Sequence, residues 1–321
     1  MLIKKNKVMI TGANGFIGKN LIRHLSFRHH ITASVRSESS IINNSDIDAD
    51  FRSVVVGELS DKTDWSSALY GVDAVVHLAG RAHQTGENPS QSLDLYRSVN
   101  CDASVNLLRQ AAKSGVKRFI FMSSIGVIGN VSGTKPFSED TECCPVAAYA
   151  HSKLEAEIEL TKIAEETGIE LVIIRPPLVY GDGAPGNFGK LSRLVSKVPI
   201  LPFGAVHNRK SFISIDNLVD FIEVCITHPK AANERFVIAD DDVISTKQLI
   251  DCIACSLDKS VLQLPFPVSV FRLLLKVVGK QSLSTQLFDD LEVDASKAKS
   301  LLSWQAKVST VDSLQQTFTL R

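Results

Sequence analysis

A chain of 321 residues can bury about three quarters of its unfolded surface, as one large domain or two smaller ones. Its 35 basic and 35 acidic residues cancel, so no excess of charge singles out nucleic acid as a partner. Six scattered cysteines make no disulfide framework at this length, which points to reduced thiols and a cytoplasmic location.

The first apolar run, "KVMI" (7–10), reads as a strand and leads straight into "TGANGFIG" (11–18). A strand this early leaves no stretch resembling a signal peptide. Gly12, Gly15 and Gly18, with Asn14, Phe16 and Ile17 among them, let the backbone take positive φ and come close to a neighbour. A helix starting there, "FIGKNLIRHL" (16–25), points unpaired N–H groups and its positive dipole end outward. The expected guest is the pyrophosphate of a dinucleotide; a turn made only for tight packing is the alternative.

Further strand-like runs follow: "HITASV" (30–35), "SVVV" (53–56), "AVVHLAG" (74–80), "RFIFMSS" (118–124) and "ELVIIRP" (170–176), with helical segments such as "SVNLLRQAAKSG" (104–115) between them. Continuous Val/Ile runs predict strands covered on both faces, hence an α/β, doubly wound parallel sheet. Ligands of such sheets bind beyond the carboxyl ends of the strands.

The residues just after each strand are therefore the candidates for chemistry. Arg36 and Ser37 follow the second run, where a carboxylate would hold the ribose of NAD and an arginine can pair with a 2′-phosphate, so the chain leans to NADP(H). An exposed loop arginine is the plain alternative. Glu58 and Leu59 are placed to approach an adenine, or form an ordinary loop. Leu78, Ala79 and Gly80 leave room for the cofactor backbone, and Arg81 and His83 lie beyond them, toward a substrate or in a solvated loop. His77, inside the apolar run, reads as a satisfied core histidine.

The fifth run ends at Ser123 and Ser124, and "YAHSKLEAE" (149–157) has helical spacing. Tyr149 and Lys153 are four apart and share one helix face. A phenol is a feeble acid or base at neutral pH, but an adjacent ammonium and a positive nicotinamide ring would favour the phenolate and make it a proton shuttle. Ser124, or with less support Ser123, would hydrogen-bond the same substrate oxygen. Carbonyl/alcohol interconversion needs that set, a proton moved at oxygen while hydride moves at carbon.

Later segments read blandly. "KIAEETG" (162–168) looks like a helix end with a glycine cap, and "ADDDV" (239–243) like a turn before a helix. His29 and His30 are expected to be exposed. Cys252 and Cys255 fit the apolar spacing of Leu249, Ile250 and Ile253 and read as helix core, so no metal site is expected. "PFPVSVFRLLLKVVG" (265–279) is too short to span a bilayer and reads as an amphipathic helix, with contact at a membrane surface left open.

Taken together, "TGANGFIG", "DAVVHLAG", "SVN" at Asn100, "SSIGVIG", "YAHSK", "IIRPPLVYG" and "SFISIDNLVD" make the chain resemble the extended short-chain dehydrogenases/reductases, in the branch of nucleotide-sugar epimerases, dehydratases and ketoreductases that includes UDP-glucose 4-epimerase-like proteins and UDP-sugar 4-ketoreductases. The resemblance implies a Rossmann sheet with a smaller C-terminal substrate-binding domain, the first domain being 1–176 with a return at 212–242, the second 177–211 and 243–321. It implies Ser124, Tyr149 and Lys153 as catalytic residues supported by Asn100, and Gly12, Gly15 and Gly18 at the pyrophosphate of NADP(H) or NAD(H), with Pro176 also lining the cofactor. Asn187, Arg209 and Lys210 match the neighbourhood of the sugar-nucleotide diphosphate. Hydride chemistry at C4 of a UDP-hexose or UDP-N-acetylhexosamine for surface polysaccharides, by epimerase or ketoreductase, and a homodimer through Leu107 and the Tyr149 helix, are the further implications. A reductase of flavonoid or steroid-like carbonyls and a non-catalytic NADP sensor are the alternatives. Two departures stand out: Ile125 and Gly126 occupy the places of the acidic pair of sugar 4,6-dehydratases, so dehydration is not expected, and Ile128 stands where relatives carry Tyr.

Overall fold

The computed structural model describes residues 5–41, 51–81 and 89–317. Its strands are β1 (Lys7–Thr11), β2 (His30–Val35), β3 (Phe51–Val55), β4 (Ala74–His77), β5 (Arg118–Met122), β6 (Glu170–Arg175), β7 (Leu178–Tyr180), β8 (Ile200–Leu201), β9 (Lys210–Ser214), β10 (Arg235–Val237), β11 (Val243–Ile244) and β12 (Leu262–Gln263). Its helices are α1 (Phe16–Leu25), α2 (Ser66–Leu69), α3 (Pro89–Arg97), α4 (Ala103–Lys113), α5 (Ala148–Thr167), α6 (Gly186–Lys197), α7 (Ile215–Thr227), α8 (Thr246–Ser256), α9 (Val268–Val277), α10 (Gln281–Phe288), α11 (Ser296–Leu302) and α12 (Thr310–Gln316).

Seven strands form one parallel sheet in the order β3-β2-β1-β4-β5-β6-β10. This is the doubly wound Rossmann sheet expected from the apolar runs. β5 is buried at every position because both faces are covered. On one face α1 and α7 contribute Leu21, Ile22, Leu218 and Phe221. On the other α4 and α5 contribute Leu107, Leu108, Leu160 and Ile163 around Phe119 and Phe121. Chain order reverses between β1 and β4, where Val8 pairs with Ile31 on one side and Ala74 on the other, and the crevice that opens at such a switch point is where the glycine turn lies. β3 is less buried than its valines suggest, since an edge strand has one neighbour only.

A smaller three-stranded sheet, β11-β9-β7, and the pair β12-β8 share a separate apolar cluster with α6, α8, α10 and α12. Phe16 packs against both this cluster and that under α1, so the glycine turn touches both halves of the molecule. Asp240 ties the junction together: it accepts from Tyr180 Oη at 2.7 Å, Asn217 Nδ2 at 2.8 Å and the Ser214 amide. Burial pushes its carboxyl up to about 6 against those hydrogen bonds. Asp240 of the "ADDDV" segment is thus a buried hub, while Asp241 bends through solvent and the chain enters β11 before it reaches α8.

Three other expectations change. His29 is 4% exposed, since its helix end packs toward Glu223 of α7, which also takes His24 at 2.7 Å and Arg28 at 2.9 Å. Leu107 is fully buried inside the monomer, so it is unavailable to a dimer contact. Cys252 is core as read, but Cys255 faces solvent. Gly168 ends α5 in the left-handed region, φ 75°, as its cap role requires.

Candidate active site

The glycine turn is built by contact as much as by dihedral freedom. Gly12 has φ 66°, and a Cβ there would stand 2.9 Å from the Ala79 amide nitrogen. A Cβ on Gly18 would meet the Gly12 carbonyl closer than any real side chain approaches. Together they let α1 begin hard against β1 and β4. Gly15 is the N-cap of α1, with no side chain capping it and no acid in the first turn, so the helix end keeps N–H groups and positive potential for an anion. The cradle therefore fits a dinucleotide pyrophosphate. Replacing Gly18 by Ala is expected to cost about 1–3 kcal/mol of stability by overpacking and to weaken cofactor binding at least tenfold, read by thermal melting and by fluorescence titration.

Around the cradle, Asn14 donates to the Ser40 carbonyl at 2.6 Å, joining the turn to the loop after β2. Arg36 in that loop is exposed and faces Glu58 across 3.8 Å, a loose surface pair that a 2′-phosphate could compete for. Leu59 packs onto the core beneath it, and Ile17 and Leu78 onto the core beneath α1. His83 lies outside the described residues.

Behind the cradle runs a chain of hydrogen bonds. Ser104 uses its one proton on the Asn100 carbonyl, so His77 must donate to it from Nε2 and accept the Thr11 hydroxyl at Nδ1, 2.7 Å away. Thr11 oxygen then accepts the Ala79 amide. His77 is neutral, held down to about 3 by burial and then by the Lys153 charge. It is the satisfied core histidine that the sequence suggested.

Asn100 sits in a π-helical turn, Ser98–Asp102, the kind of irregularity that aims a side chain inward. Its Oδ1 accepts the Arg81 amide at 2.8 Å and its Nδ2 donates to Ser152 Oγ at 3.0 Å. A Cβ on Gly80 would meet Asn100 Oδ1 at 2.9 Å and Lys153 Nζ at 3.3 Å, so both side chains converge on the end of β4. Arg81 stacks toward Tyr96, whose ring meets that of Tyr149 edge-on at 6.2 Å.

The two serines after β5 diverge. Ser123 donates to Glu157 at 2.5 Å and is buried; Ser124 caps the short turn 125–127, accepts the Gly126 amide at 3.1 Å and stays partly open. Lateral hydrogen bonding thus takes the Ser123 hydroxyl and leaves Ser124 as the one free to meet a substrate oxygen. The carbonyl of Pro176 accepts the Ile125 amide, bracing that turn from β6.

Lys153 departs from expectation. Its ammonium donates to the Met122 carbonyl at 2.9 Å and lies 4.5 Å from the Phe121 ring centre, and burial pushes it down to about 8 against the charge of Glu157. Tyr149 is pushed up to about 12, by burial and then by Tyr96, with no relief from Lys153. The chain alone does not make this phenol acidic, because burial disfavours the phenolate while one of the three ammonium donors of Lys153 is held by the strand end.

Glu157 was missed as a site residue although it extends the spacing Tyr149, Lys153 by another four. It accepts Arg175 through Nε at 2.9 Å and Nη2 at 2.5 Å in addition to Ser123, with both ion-pair partners almost wholly buried. Its role was hidden because the partners come from β5 and β6, remote in sequence.

Toward the smaller sheet, Asn187, in the first turn of α6, donates to Gln286 at 2.7 Å. Arg209 is bound on both edges by Glu292, at 2.6 and 2.8 Å, whereas Lys210 opens β9, is buried, and is pushed down to about 8 by burial. The paired cations read from sequence are therefore unequal: Arg209 is already neutralised.

A glycine-cradled dinucleotide site set against Ser124, Tyr149 and Lys153 defines an enzyme of the short-chain dehydrogenase/reductase type. A model of the NAD dependent epimerase/dehydratase family matches residues 8–239, and the chain belongs to that family. A UDP-glucose 4-epimerase of Vibrio cholerae is 40% identical over 314 residues, covering 97% of this chain and 94% of the relative. An Escherichia coli epimerase acting at C4 of N-acetyl-α-D-glucosaminyl-diphospho-undecaprenol is 29% identical, over 86% of this chain and 82% of the relative. Among solved structures, the UDP-N-acetylglucosamine 4-epimerase of Methanobrevibacter ruminantium shares the fold with a TM-score of 0.77 at 21% identity, covering 98% of this chain and 97% of that one.

Proposed function

We propose that the protein interconverts C4 epimers of a UDP-hexose or UDP-N-acetylhexosamine by NAD(P)-dependent oxidation and reduction. The observation that carries this is Lys153, one helical turn from Tyr149 on α5, reaching the Met122 carbonyl at the end of β5 just before Ser124, in a chain 40% identical to a UDP-glucose 4-epimerase.

Ser124 donates to the sugar O4 and fixes its position, and Tyr149 takes the O4 proton and returns it. When bound, the nicotinamide ring supplies a hydride acceptor and a positive charge that favours the phenolate. Lys153, positioned by its Met122 contact, would hold the ribose of a bound cofactor, and Asn100 keeps the adjoining β4 end in place. Gly12, Asn14, Gly15, Phe16, Ile17 and Gly18 would hold the pyrophosphate, Arg36, Glu58 and Leu59 the adenosine, and Leu78, Ala79, Gly80, Ser123 and Pro176 would line the remainder. Arg81, Asn187 and Lys210 face the sugar nucleotide, with Arg209 recruited only if Glu292 releases it. Ile125 and Gly126 bring no acid to the hydroxyl, which disfavours dehydration. The division into 1–176 with 212–242 and 177–211 with 243–321, a homodimer, and a cytoplasmic location belong to the same proposal.

A 4-ketoreductase is the second reading, favoured by Arg36. A dTDP-4-dehydro-6-deoxyglucose reductase of Escherichia coli is 25% identical over 98% of this chain and 96% of the relative. Denaturing the purified enzyme and identifying the released nucleotide separates the two. Retained NAD with UDP-sugar interconversion and no net cofactor use is the expected result; an empty site with NADPH consumed on a 4-keto sugar establishes the reductase. Arg36 gives a linked measurement: Arg36→Asp is expected to raise the Kd for NADP about tenfold or more while leaving that for NAD within about threefold, and equal effects on both would remove Arg36 from the adenosine site.

A further inference from the structure

Helix α9 has an unusual surface. Val268, Phe271 and Leu275 pack inward against the cluster of the smaller domain, as an amphipathic helix should. Yet Val270, Leu273, Leu274, Val277 and Val278 form a second apolar stripe, at i, i+3, i+4, i+7 and i+8, that faces outward. Leu273 is 61% exposed and Val277 78%, and no residue of the helix is fully buried. Solvent-facing stripes of this kind mark contact surfaces.

Charge identifies the contact. From Lys259 to Phe288 the chain has no Asp or Glu but carries Lys259, Arg272, Lys276 and Lys280, within a protein of zero net charge. Arg272 is held by Asp289 at 2.6 Å; Lys276 and Lys280 stand exposed at the border of the stripe. A twofold contact with a second copy would bring these lysines against like charges with no acid in the segment to meet them. An apolar stripe bordered by lysines matches instead a bilayer surface carrying anionic headgroups, into which such a helix can lie flat.

We propose that α9 docks the enzyme on anionic membrane surfaces, Leu273, Leu274, Val277 and Val278 entering the acyl boundary and Lys276 and Lys280 meeting the headgroup phosphates. Docking there is independent of the chemistry at Tyr149. Among the described residues no helix is long and apolar enough to cross a membrane, so the association is peripheral and reversible.

The full-length protein is sedimented with vesicles of phosphatidylcholine alone and with vesicles containing about one-third phosphatidylglycerol, at low and high salt. Binding to the anionic vesicles only, weakened at high salt, is expected. Leu273→Glu with Val277→Glu should lower it at least tenfold, and Lys276→Glu with Lys280→Glu about tenfold, with melting temperature and turnover of a soluble UDP-sugar unchanged. Absence of wild-type binding, or binding by both double variants at the wild-type level, overturns the proposal. So does a wild-type dimer that Leu273→Glu with Val277→Glu converts to monomer, which would assign the stripe to a second copy.

Discussion

Tyr149→Phe is expected to lower kcat by about 10²- to 10⁴-fold, the range for losing a positioned proton carrier, while changing the cofactor Kd less than about threefold. The phenol is the group proposed to exchange a proton with the substrate oxygen, and Phe keeps the ring that meets Tyr96 at 6.2 Å. Steady-state rates with bound-nucleotide quantitation check this, and a variant with more than about one-tenth of wild-type turnover would assign the proton to another group. Burial holds this phenol up at about 12, so in the proposed mechanism a bound, positively charged ring would supply the acidity. Titrating the 295-nm tyrosinate absorbance of protein with and without oxidised cofactor should show one phenol whose pKa falls on binding, and the signal should vanish in Tyr149→Phe.

Glu157→Ala is expected to destabilise the protein by about 3–5 kcal/mol, the cost of leaving a buried ion-pair partner alone. Arg175 is 1% exposed and would keep its charge with only a Cys143 thiol at 3.4 Å. The measurement is urea unfolding against wild type, with Glu157→Gln losing less because an amide still accepts from Ser123 and Arg175. The same carboxylate opposes the fall of the Lys153 pKa, which stands at about 8. Without it that pKa drops further, the ammonium deprotonates at lower pH, and the alkaline limb of the activity profile moves acidic in Glu157→Gln. A change of stability with no movement of that limb would limit Glu157 to a structural role.

Much of the site was legible because it depends on local chain geometry. Gly12 and Gly18 announce themselves, since only glycine satisfies their contacts in that turn, and Tyr149 with Lys153 follow from one helical turn. Alternating apolar runs gave the parallel sheet because strands covered on both faces are mostly apolar, the few polar side chains in them being hydrogen-bonded. Legibility failed where partners are distant in sequence. Lys153 is adjacent to Tyr149 by spacing, yet the strand carbonyl of Met122 captures its ammonium. Arg209 and Lys210 look equivalent in the chain, but Glu292, far along it, neutralises the first. Leu107 presents the apolar pattern of an interface and of a core alike, and only the packing of α4 under α5 assigns it to the core.

Sequence by itself determined the Rossmann sheet and nominated the glycine turn and Ser124, Tyr149 and Lys153, because each rests on backbone sterics or helical periodicity acting over a few residues. Tertiary structure alone decided which serine is free, how the charges are shared, why the Tyr149 phenol is not acidic unaided, and which stripe of α9 faces out. Those outcomes are settled by burial and by hydrogen-bond competition between groups that folding brings together from opposite ends of the chain.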